Sequence, residues 1–206
     1  MLSYTEEIEA IVARHRNALQ ARIQSRKTEL LEESTGHHMA FAALGVSAED
    51  ATNIDLHQSI SRLVYRHTGT MMEEVARHCL QRAFPGAGRA LIPNTVGDSP
   101  KKFEIDCLVE DTDAIEIKWR DATTDGDHVR KEAQRVEATR DAGYTPVRLM
   151  FFEPKRPSAI RIQKNLAAHY RGVGGSYHKG DDAFRFIREQ TGIDLRTILQ
   201  EQPTVH

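Results

Sequence analysis

Apolar positions in the first third of the chain recur at helical spacing. Ile8, Ile11, Val12, Leu19, Ile23, Leu30 and Leu31 follow a 3.6-residue period, with charged residues filling the gaps. A short apolar helix runs from roughly Met39 to Leu44 and stops at Gly45, a residue suited to the turn that ends a helix. Ser47 offers a hydroxyl to cap the next segment. Two more helices are expected over about 55–67 and 70–84, divided at Thr68-Gly69 and ended by Pro85-Gly86. Beyond them the pattern turns to strands: Ala90 to Ile92, Lys102 to Val109, Ala114 to Trp119 and Thr145 to Phe152. Pro146 stands near the start of the last of these, where a missing N–H does least harm. A polar helix, about 127–142, separates the third strand from the fourth, and helical stretches near 157–171, 181–191 and 194–201 follow. The order is helix, three strands, helix, strand, helices, which predicts an α/β sandwich around a mixed central sheet.

Composition adds bounds rather than detail. At 206 residues, 39% hydrophobic and 28% charged, the chain fits one domain with a helical appendage and a core that needs no disulfide or metal staple. The expected division is an N-terminal helical region over 1–68 and a catalytic core over 69–206. The start, Met1-Leu2-Ser3-Tyr4-Thr5-Glu6-Glu7, is too polar and acidic for a signal peptide, and no apolar run reaches the length of a membrane span. Cys79 and Cys107 lie inside apolar patterns without Cys-x-x-Cys spacing, as reduced core residues of a cytoplasmic protein would. Net charge is -2 but unevenly spread: 12 Lys and Arg against 18 Asp and Glu over residues 1–117, then 12 against 7 over 118–171. A basic segment after an acidic one suits a phosphate-bearing partner near a carboxylate site, although a solvated helix face gives the same count.

The chemistry concentrates in Phe103-Glu104-Ile105-Asp106-Cys107-Leu108 and Ala114-Ile115-Glu116-Ile117-Lys118-Trp119. Strand side chains alternate, so Ile115 and Ile117 leave one face while Glu116 and Lys118 leave the other. Asp106, between Ile105 and Cys107, leaves the face opposite its neighbours, and a hairpin would bring Asp106, Glu116 and Lys118 together. Two carboxylates offer hard oxygen ligands to Mg²⁺, which polarises a phosphodiester and acidifies water, and a lysine beside them orients that water. An isolated Glu-x-Lys is usually a surface ion pair. An Asp on the preceding strand and a helix after it favour chemistry.

This spacing, Asp106 and then Glu116-Ile117-Lys118, resembles the signature of PD-(D/E)xK nucleases, and the order of elements is similar to their αβββαβ core. Ile105 stands where that motif's name has Pro. The run Glu116 to His128, the stretch Gly143 to Phe152 and the tail Thr191-Gly192-Ile193-Asp194-Leu195 resemble type II restriction endonucleases, most closely the ApaLI-like family, over roughly residues 65–200. The resemblance implies a restriction-endonuclease-like fold and Mg²⁺ held by Asp106 and Glu116, with Lys118 assisting. It also implies double-stranded DNA as substrate, cut at a short palindrome such as GTGCAC, a base sequence that no residue here derives.

Members of the superfamily often add an acid from the helix before the strands. Of Glu73 and Glu74, Glu73 lies at the edge of a buried face drawn through Met71, Met72, Val75, Cys79 and Ala83, and is the candidate third acid and metal ligand. First-turn glutamates also suit a helix N-terminus without any such role. Arg120, Asp121, Thr123, Thr124, Asp125 and His128 follow the catalytic strand and are candidate DNA contacts, although Thr124 or Asp125 would also serve as a helix cap. Arg130, Lys131 and Arg135 on the next helix are candidate phosphate contacts. A palindrome read symmetrically implies a twofold homodimer, for which the N-terminal helices are the candidate contact, and a companion methyltransferase is a natural partner.

Two alternatives stay open: a Holliday-junction resolvase or repair nuclease of the same fold, and a DNA-binding module without catalysis. Other features have plainer readings. Gly172-Val173-Gly174-Gly175 lacks the Lys and Ser/Thr of a phosphate loop and reads as a flexible turn. Trp119 reads as core. Adjacent rings diverge on a helix, so His37-His38 reads as chance rather than a metal site.

Overall fold

Three helices make up the polar N-terminal part: α1 (Tyr4–Glu32), α2 (His38–Ala43) and α3 (Ala48–Ala83), in a computed structural model that describes residues 3–120 and 126–203. Helix α1 begins with a capping box, in which Ser3 Oγ accepts from the Glu6 N–H and the Glu6 carboxylate accepts from the Ser3 N–H. Ser47 caps α3, its hydroxyl accepting from the Asp50 N–H at 3.0 Å. The break expected at Thr68-Gly69 does not occur. Thr68 and Thr70 donate their hydroxyls back to the carbonyls of Val64 and Arg66, and one glycine costs a long helix only about 1 kcal/mol, so α3 runs straight through.

The strands are β1 (Gly88–Pro93), β2 (Lys102–Val109), β3 (Asp113–Arg120), β4 (Thr145–Phe152) and β5 (Ser176–Lys179). They form one sheet in the order β1-β2-β3-β4-β5, antiparallel across β1, β2 and β3 and parallel across β3, β4 and β5. Helix α4 (Gly126–Asp141) connects β3 to β4 and α5 (Pro157–Gly172) connects β4 to β5, as parallel neighbours require. Helices α6 (Asp181–Thr191) and α7 (Leu195–Gln200) close the chain. The result is a mixed α/β architecture with a five-stranded sheet flanked by helices. Strand β4, next to the edge strand β5, is the most deeply buried: all of Pro146 to Phe151 is enclosed, as a strand covered on both faces should be.

Strand β5 was not expected, and its approach explains the glycines before it. The Gly175 N–H donates to the Tyr170 carbonyl at 2.9 Å, and a Cβ on Gly175 would overlap the Pro146 carbonyl oxygen. The Gly172–Gly175 stretch is thus a close-fitting turn that seats β5 against β4, rather than the loose one expected. Cys79 and Cys107 are buried and unbridged, and burial pushes their thiols up to about 12 and 11. No helix among the described residues is long and apolar enough to cross a membrane.

Internal contacts divide the chain into two units. One spans Ala10–Met71, and the other joins Met1–Glu9 to Met72–His206. The larger unit has its core under the sheet, where Ile92, Phe103, Ile105, Ala114 and Ala138 pack together, and its α3 portion buries Met72, Val75, Ala76, Cys79 and Leu80. That face is centred slightly differently from the expected one, with Met71 only partly buried and Ala83 exposed. The helical unit is apolar-poor by comparison: Val12, Ala51 and Leu63 are its buried hydrophobic residues.

Candidate active site

Alternation alone would send Asp106 away from Ile105 and Cys107 on a regular strand. The pairing of β1 with β2 shows an irregularity at this point. Gly88 pairs with Leu108 and Ala90 with Ile105, so two steps along β1 face three along β2. The extra residue falls across Asp106 and Cys107, a β-bulge of the kind that re-aims a side chain. It lets Ile105 join the same core cluster as Ala114 of β3, with Leu108 packed against it. The ladder between β2 and β3 runs from Cys107–Ile115 to Val109–Asp113. Just past it, Asp106 Oδ2 accepts the Ile117 N–H at 2.8 Å, so the carboxylate takes a donor on the neighbouring strand.

Glu116 and Lys118 leave β3 on the face covered by α4. Lys118 Nζ contacts Glu116 Oε1, stands 3.5 Å from Asp106 Oδ2 and donates to the Ile117 carbonyl at 3.3 Å. Asp106, Glu116 and Lys118 are therefore one cluster. Glu116 is almost fully enclosed, with 4% of its side chain exposed, while Lys118 stays partly open to solvent. Burial, and then the charge of Glu116, push the Asp106 carboxyl up to about 6 against the opposing pull of Lys118 and the Ile117 N–H. Burial pulls the Lys118 ammonium down, but the carboxylates of Glu116 and Asp106 outweigh it and hold the group above its ordinary value.

Glu116 Oε1 is engaged by Lys118 and Arg135, whereas its Oε2 is buried with no hydrogen-bond partner among the described residues. An orphaned carboxylate oxygen beside a second, reluctantly ionised carboxylate is a donor set short of a cation. Hard oxygen ligands of this kind suit Mg²⁺.

Behind the cluster lies a buried network that sequence reasoning missed. Arg135 of α4, expected to contact phosphate, is turned inward onto Glu116 and onto Glu132 Oε2 at 3.0 Å. Glu132 is 1% exposed; it pairs with Arg148 of β4 and accepts from the Tyr170 hydroxyl of α5 at 2.8 Å. Burial would raise the Glu132 carboxyl, but Arg148, Arg135 and Lys118 outweigh it and hold it well below the usual range. The readable signal was Arg148, a charge in the middle of the apolar strand Val147 to Phe152, which could be buried there only with an acid opposite.

Glu73 sits elsewhere in the same unit, its Oε1 accepting from Arg77 at 2.7 Å and from Arg89 at 2.5 Å. Burial raises its carboxyl, yet the two arginines hold it below its ordinary value. Its charge is close enough to add to the upward push on Asp106. Arg120 ends β3 partly buried, and Arg130 and Lys131 are exposed on α4, with His128 in that helix's first turn. The candidate DNA contacts Asp121, Thr123, Thr124 and Asp125 lie outside the described residues. Trp119 is partly buried, with its ring 6.4 Å from Phe152 and edge-on to it.

No curated protein and no solved structure matches this sequence. A family model does, over nearly the whole chain and not only the acid-lysine strands. The match extends from residue 1 to residue 203 of 206, and by it the chain belongs to the ApaLI-like restriction endonucleases.

Proposed function

We propose that this restriction endonuclease is a type II enzyme that hydrolyses both strands of double-stranded DNA at a short palindrome, with Mg²⁺ as cofactor and the Asp106–Glu116–Lys118 cluster as its active site. The observation that carries the reading is the buried, unpartnered Glu116 Oε2 beside Asp106 and within reach of an ammonium. The element order α3-β1-β2-β3-α4-β4 supports assigning it to the PD-(D/E)xK αβββαβ core.

Asp106 and Glu116 would hold the ion. Bound there, Mg²⁺ supplies electrophilic assistance to the phosphodiester and acidifies water. Lys118 keeps its proton because two carboxylates surround it, so it donates hydrogen bonds to the attacking water or to a phosphate oxygen as negative charge builds there. Arg135 takes Glu116 Oε1 and so steadies the carboxylate while its Oε2 stays unengaged. Glu132, Arg148 and Tyr170 in turn fix Arg135 from below. Glu73, held between Arg77 and Arg89, adds negative charge near Asp106 and is the candidate third acid. Arg120, Arg130 and Lys131, with residues 121–128, supply DNA contacts next to the scissile phosphate. A twofold dimer would place one such site on each strand.

The test is a digest of phage DNA with MgCl₂ or EDTA, wild type beside Lys118→Ala. Discrete bands that need MgCl₂ and fall by about 100-fold or more in the variant are the expected result. End-sequencing then reads the site and decides whether it is GTGCAC. Glu73→Gln should lower cleavage less than Asp106→Asn or Glu116→Gln. Equal cleavage by Lys118→Ala would remove the cluster as the active site. Preference for branched junctions over linear duplex would move the substrate to the resolvase class.

A further inference from the structure

The histidine pair dismissed on sequence grounds comes together in the fold. His37 precedes α2 and His38 opens it, in a turn closed by the His38 N–H donating to the Thr35 carbonyl at 2.9 Å. Both rings reach the same acceptor on α3: His37 Nε2 stands 2.7 Å and His38 Nε2 2.8 Å from Asp55 Oδ2. The rings are edge-on to one another with centroids 4.7 Å apart, so neither blocks the other. The three ligand atoms all lie within 4.8 Å of one another.

Hydrogen bonding alone leaves this arrangement under-explained. Helix α2 has no buried residue, and the connection before it, Glu33-Ser34-Thr35-Gly36, is wholly polar. The helical unit of residues 10–71 buries only Val12, Ala51 and Leu63 among its hydrophobic residues. A segment with so little apolar anchoring gains from another tie, and a bound metal is one that core-poor units use. The three ligands themselves line a cavity of 310 Å³ whose other walls include Leu30, Leu31 and Leu56 beside Lys27, Glu33 and Thr35, leaving space next to them for a fourth ligand.

We propose that His37, His38 and Asp55 bind a divalent transition-metal ion, Zn²⁺ by the chemistry of the donors, which clamps α2 and the turn before it to α3. Two imidazole nitrogens and one carboxylate oxygen are a zinc set rather than a magnesium set. An ion about 2.0–2.1 Å from each donor needs neighbouring donors about 3.3 Å apart, so the two short contacts open by roughly half an ångström as the metal enters. The site shares no residue with the acid-lysine cluster.

The experiment uses untagged full-length protein carrying Asp106→Asn and Glu116→Gln, so that the acidic cluster takes up no zinc. Titration with ZnCl₂ after EDTA treatment should give one ion per chain, and CoCl₂ should give visible bands of a low-symmetry nitrogen-oxygen site. His38→Ala and Asp55→Asn should each weaken zinc binding by about 100-fold or more, since even groups that merely support a ligand are worth about 10–100-fold. Circular dichroism establishes that the variants fold. Carbethoxylation of His37 and His38 in the unmutated helical unit, followed by mass spectrometry, should fall when zinc is added, and this readout needs no variant. In an otherwise wild-type chain, His38→Ala should leave Mg²⁺-dependent cleavage unchanged. Absence of zinc uptake at micromolar metal, undiminished uptake by both variants, or unprotected histidines would each overturn the site.

Discussion

Burial of Asp106 beside the Glu116 carboxylate stores repulsion in the metal-free protein. Its carboxyl is pushed to about 6, above the ordinary 3.8, so between those values the native state holds a proton that the unfolded chain has released. Stability from this group is therefore present at low pH and lost as pH rises through about 6. In EDTA at pH 7.5, Asp106→Asn should be more stable than wild type by about 1–3 kcal/mol in urea denaturation. The gap should shrink toward pH 4, and Mg²⁺ should close it by stabilising wild type alone. A wild type as stable as the variant in EDTA would mean that the carboxylates do not repel. Glu132 runs the other way. Its carboxyl is held low, so its contribution is present above the ordinary carboxylate range and lost as pH falls toward about 2. Glu132→Gln leaves buried Arg148 without its counter-charge and should lose about 3–5 kcal/mol at pH 7, with a flatter acid limb than wild type. Strand alternation put Glu116 and Lys118 on one face, and a hairpin brought Asp106 beside them. Asp106 reaches that face through the bulge, however, since Ile105 shares the core cluster with Ala114. The Glu132–Arg148 pair joins a helix to a strand 16 positions away, and no local period reports it. The inward turn of Arg135 was hidden for the same reason, since Arg130, Lys131 and Arg135 look alike until the acids they face are known.

At the scale of elements, β2, β4 and α6 could be bounded from sequence because each combines a clear period with sharp flanking punctuation. Strand β5 could not. Its four residues, Ser176-Tyr177-His178-Lys179, are too few and too polar to show a period, and the strand exists because β4 offers an open parallel edge. Helix α3 was wrongly divided since threonine and glycine are weak helix formers, yet the threonine hydroxyls bond within the helix and the flanking turns carry it across. The bulge in β2 was equally invisible, because an extra residue shows only against the partner strand. What holds β5 in place can be tested at two glycines of one turn. A methyl on Gly175 overlaps the Pro146 carbonyl, while one on Gly172 meets nothing within 4 Å. Gly175→Ala should therefore lose about 2 kcal/mol or more in thermal or urea unfolding, whereas Gly172→Ala should change stability by less than about 1 kcal/mol. Equal effects would mean that β5 is not held by this close approach.

For the molecule as a whole, the unresolved demand is symmetry. A palindromic site cut on both strands calls for two copies related by a twofold axis, and the helical unit has the surface for it: Leu31, Met39 and Leu44 are 85%, 79% and 83% exposed. Under the proposed function these three exposed apolar side chains are the surface through which a second copy of the chain would dock. Wild type should sediment at twice the chain mass at micromolar concentration, and Met39→Asp with Leu44→Asp should shift it toward monomer, since each charge would have to be buried unpaired in the contact. Because both side chains are exposed, the variant should keep its fold. What it should lose is coordination: on supercoiled plasmid the dimer is expected to give linear product directly, while the weakened form accumulates nicked circles first. A wild type that stays monomeric on DNA and still produces linear product in one step would show that the second strand is reached some other way.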